Sequence, residues 1–148
     1  MKLKIKSLPL KGVQMTMQKT ETINIQSSGD VVLVRQTVRR LAVEIGFSLV
    51  DQTKIVTAAS ELARNTLDYG GGGIAKLETL QEERRRGLKL TFEDQGPGIP
   101  DIELALKDGF TTGCGLGMGL GGAKRLANEF EIQSAVGEGT RVTIVRWK

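Results

Sequence analysis

Glu61 and Asn65 stand four residues apart in the stretch ELARN, so on a helix they share a face and project side by side. Their chemistry is complementary. A carboxylate can take a proton from an attacking hydroxyl, and a neutral amide oxygen can ligate Mg²⁺ without adding negative charge beside a triphosphate. Asp94 follows almost directly on the apolar run LKLTF, and Gly96, Pro97 and Gly98 then turn the chain with little side-chain bulk. A carboxylate placed at such a strand end can accept the amino hydrogens of a base. Gly113, Gly115, Gly117 and Gly119 alternate just before a predicted helix, which lets backbone N–H groups approach phosphate oxygens near the helix's positive end. Each stretch alone reads as a polar helix stripe or a tight turn; their fixed order and setting describe an ATP site.

Other phosphate-binding patterns do not match. The Gly-x-x-x-x-Gly-Lys-Ser/Thr loop is missing, and the glycine ladder follows a helix and loop instead of a first strand, so it reads as a mobile lid and not as a Walker or Rossmann turn. The 148 residues contain no histidine, which excludes autophosphorylation on histidine and histidine-based acid–base or metal chemistry within the chain. Cys114 is the only cysteine, so no disulfide forms within the chain and a reducing compartment is expected. The formal net charge of +4 suits solubility and gives only weak support for a polyanionic partner. With one Trp, one Tyr and four Phe there is little material for stacking bases, so no nucleic-acid partner is expected. No apolar run approaches bilayer-spanning length, and the amino terminus lacks the continuous apolar core of a secretory signal; no membrane association and a cytoplasmic location are the expectations.

The elements that must position these groups follow from periodicity. Residues 1–19 carry Pro9, Gly12 and weak alternation, and read as an N-terminal extension, either a tail or an edge strand. Residues 21–26 alternate polar with β-branched apolar side chains and predict a half-buried strand. Val31, Val34, Val38, Leu41 and Ile45 step by three and four after a capping Asp30, with Gly46 as the stop, and predict a helix with Arg35, Arg39 and Arg40 turned away from its core face. A second helix, capped by Asp51 and reaching Tyr69, buries Ile55, Ala58, Ala59 and Leu62 and carries ELARN. Residues 74–80 and 88–93 predict a hairpin with the arginines at 84–86 on a solvated turn; a short helix over 101–107, a helix over 119–128 and strands over 129–136 and 141–147 complete the order. The sum is one α/β domain over residues 20–148, a two-layer sandwich with a mixed, mostly antiparallel sheet and helices on one face.

The ordered set resembles the ATP-binding domain of the GHKL (Bergerat-fold) superfamily of gyrase, Hsp90, histidine kinases and MutL, with ELARN, DQGPG and GLGMGL as its N, G1 and G2 boxes and GEGT as a further element. SELARNT, EDQGPGIPDIE, DGFTTG, AKRLANEF and GEGTR narrow the likeness to the anti-sigma-factor serine/threonine kinases, most of all the RsbT-type switch kinases of stressosome partner-switching modules. The resemblance implies Glu61 as general base, Asn65 as Mg²⁺ ligand, Asp94 as acceptor for the adenine amino group, and Gly96 and Gly98 in the turn that lets adenine approach. It implies Gly113, Gly115, Leu116, Gly117, Met118 and Gly119 as the phosphate lid, Thr140 as support for the adenine pocket, and Arg64 and Lys124 as charges at the site's edge.

The activity so implied is transfer of the ATP γ-phosphoryl group, with Mg²⁺, to a serine or threonine of a STAS-domain antagonist or scaffold. That transfer would release the kinase to a downstream phosphatase or cyclase. The alternative is an ATP-dependent anti-sigma factor that masks a sigma factor through the surface near Arg35, Arg39 and Arg40. A detached histidine-kinase ATPase domain would need a histidine from another chain, and a gyrase-like clamp would need a second domain.

Overall fold

The structure is a computed structural model that describes residues 3–6, 16–107 and 119–148. Its elements run β1 (Leu3–Lys6), β2 (Thr16–Ile25), α1 (Ser28–Ile45), α2 (Leu49–Asp68), β3 (Gly73–Gln81), β4 (Arg86–Asp94), α3 (Ile102–Ala105), α4 (Gly119–Arg125), β5 (Glu129–Ser134) and β6 (Thr140–Trp147). The strands form one sheet in the order β1-β5-β6-β4-β3-β2. Every pairing among the described residues is antiparallel, so the parallel component of the expected mixed sheet is not found there.

The expected helix faces are the buried ones. Val31, Val34, Val38, Leu41 and Ile45 of α1, and Ile55, Ala58, Ala59 and Leu62 of α2, pack on Ile23, Ile25, Leu77, Leu90, Phe92, Ile132 and Ile144 from one side of the sheet. Period 3.6 on the helices thus meets period 2 on the strands across one apolar layer.

Both helices begin earlier than expected. Asp30 sits in the third helical position, where its carboxylate accepts from the backbone N–H of Ser27, the N-cap. Asp51 likewise donates its backbone N–H to the Ser48 hydroxyl at 3.1 Å. In each case an Asp favourable to the helix dipole lies three residues inside a serine cap.

The segment read as an extension is partly sheet. β1 pairs with β5 at one edge, and β2 starts at Thr16, so a boundary between 19 and 20 falls inside β2. The arginine turn also differs from a freely solvated loop. Arg84 is exposed, but the Arg85 guanidinium lies 3.9 Å from the centroid of the Trp147 ring and pairs with buried Glu82. It covers a small second apolar cluster of Leu80, Val145 and Trp147 on the sheet face away from the main core.

Candidate functional site

The site forms where three elements end together. α2 brings Asn65, Thr66 and Tyr69 to its C-terminal end; β4 ends at Asp94; β6 begins at Thr140 directly opposite Asp94 in the register. With Leu62, Phe92, Ile99, Pro100, Asp101, Leu104, Ala105, Gly119, Leu120 and Val142 they line a cavity of about 410 Å³. Its walls are mainly apolar, with few polar groups, the usual make-up of a small-molecule site. α4 supplies Gly119 and Leu120 at one wall, and α3 supplies Leu104 and Ala105 at another.

Asp94 is 8% exposed and has no cation against it among the described contacts. Its Oδ1 accepts the Gly96 backbone N–H at 2.9 Å, and the Thr140 backbone N–H lies near enough to the same carboxylate to favour its charged form. Burial pushes the carboxyl above its ordinary value; the two N–H groups oppose the shift and neighbouring Glu93 adds to it. A carboxylate so held is short of donors, and a ligand amino group would supply one.

The glycines around it have separate reasons. Gly98 adopts φ +78°, where a Cβ would strike the Ala135 carbonyl, so the turn behind Asp94 closes only without a side chain. Gly70 lies against the Asp94 carboxylate itself: a Cβ there would collide with Asp94 Cβ at 2.6 Å and Oδ2 at 2.5 Å. By sequence Gly70 is only the glycine that follows the helix reaching Tyr69. The signal that would have found it is long-range packing, which local pattern does not carry.

Of the expected site residues, Asn65, Asp94, Gly119 and Thr140 line the cavity, and Gly96 and Gly98 form the turn that shapes its Asp94 wall. Glu61 is buried at 3% exposure one helical turn before Asn65 and is not among the cavity's lining residues. Gly113, Gly115, Leu116, Gly117 and Met118 lie outside the described residues. Arg64 and Lys124 are half-buried, and neither lines the cavity. The residues that sequence reasoning missed are the apolar walls, Ile99, Pro100, Leu104, Ala105 and Leu120, together with Thr66 and Tyr69.

The donor set fits a hard divalent cation held mostly by its substrate. Asn65 offers one neutral oxygen at the cavity, and among the described residues no group of three or more His, Cys, Asp or Glu could form a protein cage. Mg²⁺ commonly takes few protein ligands and completes its shell with phosphate oxygens and water.

The chain is similar to known proteins in sequence and fold. The family model described as "Histidine kinase-, DNA gyrase B-, and HSP90-like ATPase" matches residues 50–148. The chain is 48% identical over 125 residues to the Bacillus subtilis serine/threonine-protein kinase RsbT, covering 84% of this chain and 94% of that one. It is 32% identical over 115 residues to an anti-sigma F factor of Geobacillus kaustophilus, covering 73% of this chain and 77% of that one. The fold is similar to the crystal structure of the RsbU and RsbW domains of a Mycobacterium tuberculosis protein, with a TM-score of 0.61 and 20% identity. That match covers 88% of this chain and 33% of the longer one. Among the described residues no helix is long and apolar enough to cross a membrane.

Proposed function

The chain belongs to the histidine kinase-, DNA gyrase B- and HSP90-like ATPase family as a protein serine/threonine kinase that uses ATP, and on that premise we propose the roles of its residues and partners. Residues 20–148 act as the catalytic domain, with residues 1–19 as an extension that contributes β1 and the first residues of β2. Adenine enters the apolar cavity and gives an amino hydrogen to Asp94, with Thr140 beside it. The observation that carries this reading is the buried Asp94 carboxylate, bonded by one backbone N–H and near a second, and facing a cavity that Asn65 and Thr140 also line.

Asn65 would hold Mg²⁺ together with phosphate oxygens; when bound, the ion neutralises charge on the triphosphate. The phosphate contacts are assigned, from the resemblance, to Gly113, Gly115, Leu116, Gly117, Met118 and Gly119. The partner's serine or threonine oxygen attacks the γ-phosphorus, the bond to the β–γ bridging oxygen breaks, and ADP leaves. The hydroxyl proton passes to Glu61, which shares the Asn65 face of α2. Positioning and charge stabilisation supply most of the acceleration.

The acceptor is a STAS-domain antagonist or scaffold protein, and its phosphorylation releases the kinase to a downstream phosphatase or cyclase. Purified chain, labelled ATP, Mg²⁺ and a cognate STAS-domain protein test this directly. Label should appear on the STAS protein with the unmodified chain and be lost with Asn65→Ala; equal labelling by both would sink the mechanism. A second reading, binding and masking of a sigma factor, draws on the exposed α1 surface of Val32, Leu33, Arg35 and Arg39 and on the similarity to anti-sigma F factors. Arg40 is less suited to that surface, because its guanidinium already bonds Glu21 at 2.7 and 2.9 Å. Capture of a sigma factor in place of a STAS protein would favour this second reading.

A further inference from the structure

Ser134, at the end of β5, lies opposite Thr140 in the register and is 3% exposed. Its hydroxyl touches three groups, two of which belong to the cavity-lining residues Ile99 and Thr140. The Ile99 backbone N–H donates to it at 2.8 Å, the Gly139 carbonyl accepts from it at 3.0 Å, and Thr140 Oγ1 lies 2.8 Å away.

A hydroxyl has one proton and two lone pairs. The Ile99 N–H takes one lone pair. The Gly139 carbonyl can only accept, so it takes the proton. One lone pair remains for Thr140, whose own proton must therefore point at Ser134. Thr140 then presents only lone pairs to the cavity that it lines.

We propose that Ser134 is a positioning residue that fixes the hydrogen-bond polarity of Thr140, making the Asp94–Thr140 wall acceptor-only and selecting a 6-amino purine over a 6-oxo purine. The proposal rests on the nucleotide reading above and deepens it. A 6-amino group offers hydrogens to such a wall, directly or through a water. At the position-6 contact a 6-oxo group presents an acceptor to the Asp94 carboxylate and finds no compensating donor at Thr140, because Ser134 has engaged that proton; the N1–H of the 6-oxo base is a donor but does not relieve that contact. Removing the Ser134 hydroxyl frees the Thr140 proton to turn toward the cavity.

The test is calorimetric titration of the full chain, with Mg²⁺ present, against ATP and against inosine 5′-triphosphate. The unmodified chain should prefer ATP by about 100-fold or more, and Ser134→Ala should shrink that ratio about tenfold. Ser134→Thr, which keeps the hydroxyl, should hold the ratio within about threefold. On a Thr140→Val background, Ser134→Ala should leave the ratio where Thr140→Val alone put it. Should the alanine variant not fold, Ser134→Cys carries the same comparison, with a smaller change in the same direction.

A merely structural serine would weaken both nucleotides by the same factor. An unchanged ratio in Ser134→Ala while ATP still binds, or a ratio change that persists without the Thr140 hydroxyl, overturns the proposal alone. Failure of the unmodified chain to bind either nucleotide overturns the nucleotide reading and the proposal with it.

Discussion

The two ends of the β4–β6 pair treat buried charge in opposite ways. At one end, where Gly87 faces Trp147, the charged groups have opposite partners or donors, with Arg146 Nε alone among their described atoms buried without a hydrogen-bond partner. Arg146 donates to Asp51 at 2.6 Å and to the Leu126 carbonyl at 2.9 Å, joining β6 to the start of α2 and the residue after α4. The Trp147 indole donates to buried Glu129 at 2.7 Å, and Arg85 closes over the ring while pairing with Glu82. The Arg146 partner holds the Asp51 carboxyl below its ordinary value. At the other end, where Asp94 faces Thr140, the carboxylate is buried with backbone donors only and its carboxyl is pushed up. One pair of strands is therefore anchored at one end and left electrostatically unfinished at the other. The unfinished end is the one that borders the cavity, as expected where a ligand supplies the missing partner.

Changes on the cavity side should cost activity first. Glu61→Gln should lower phosphoryl transfer by about 10²–10⁴-fold with ATP affinity changed by less than about threefold, as single-turnover transfer and equilibrium titration would separate. Asn65→Ala should weaken Mg²⁺-dependent ATP binding and leave Mg²⁺-free nucleotide binding nearly unaltered. A loss that is the same with and without Mg²⁺ would remove Asn65 as the ligand.

At the anchored end the expected loss is stability. Arg146→Ala breaks the tie to Asp51 and strips a donor from Leu126, and should cost about 2 kcal/mol in a denaturant melt, with ATP affinity moved by less than about threefold. Asp51 is partly exposed, which keeps this figure below that of a fully buried pair. The sign of its pH dependence follows from the lowered carboxyl. Stability from the Asp51–Arg146 pair is present above the unfolded-state value and lost as pH falls through the lower folded value. Arg146→Ala should therefore narrow the gap to the unmodified chain on acidification. Arg85→Ala, which removes a half-exposed stacked cation and leaves buried Glu82 without its partner, should cost about 1–2 kcal/mol.

The helix cores were legible because burial repeats every three or four residues within a short window, and Val31 to Ile45 and Ile55 to Leu62 carry that period without interruption. The helix starts were less so. Asp51 lies three residues inside Ser48, whose hydroxyl does the capping, whereas Asp30 lies three residues inside Ser27 and itself accepts the Ser27 backbone N–H. Residues 3–6 give no local sign that they pair with β5, because strand pairing across more than a hundred residues leaves no short-range pattern. In the site, Asn65 and Asp94 announced themselves by type and spacing, and Thr140 through the GEGT element of the family resemblance. Ser134 and Gly70 did not: one is an ordinary polar residue at a strand end and the other an ordinary helix stop. Their roles exist only in contacts between β5, β6, α2 and the turn after β4.

The unfinished end has a direct thermodynamic signature. Because burial raises the Asp94 carboxyl, the folded chain holds that proton more tightly than the unfolded chain, so stability falls as pH rises from the unfolded-state value through the higher folded one. At neutral pH the charge is thus a cost to the free protein, one that the proposed adenine contact would offset. The deciding measurement is the thermal melt of the unmodified chain and of Asp94→Asn at neutral pH, each with and without saturating Mg·ATP. The account predicts that Asp94→Asn raises the melting temperature of the free protein by a few degrees, about 1 kcal/mol, and removes most of the ATP-induced increase. A free variant less stable than the unmodified chain, with the ATP-induced increase intact, would contradict it.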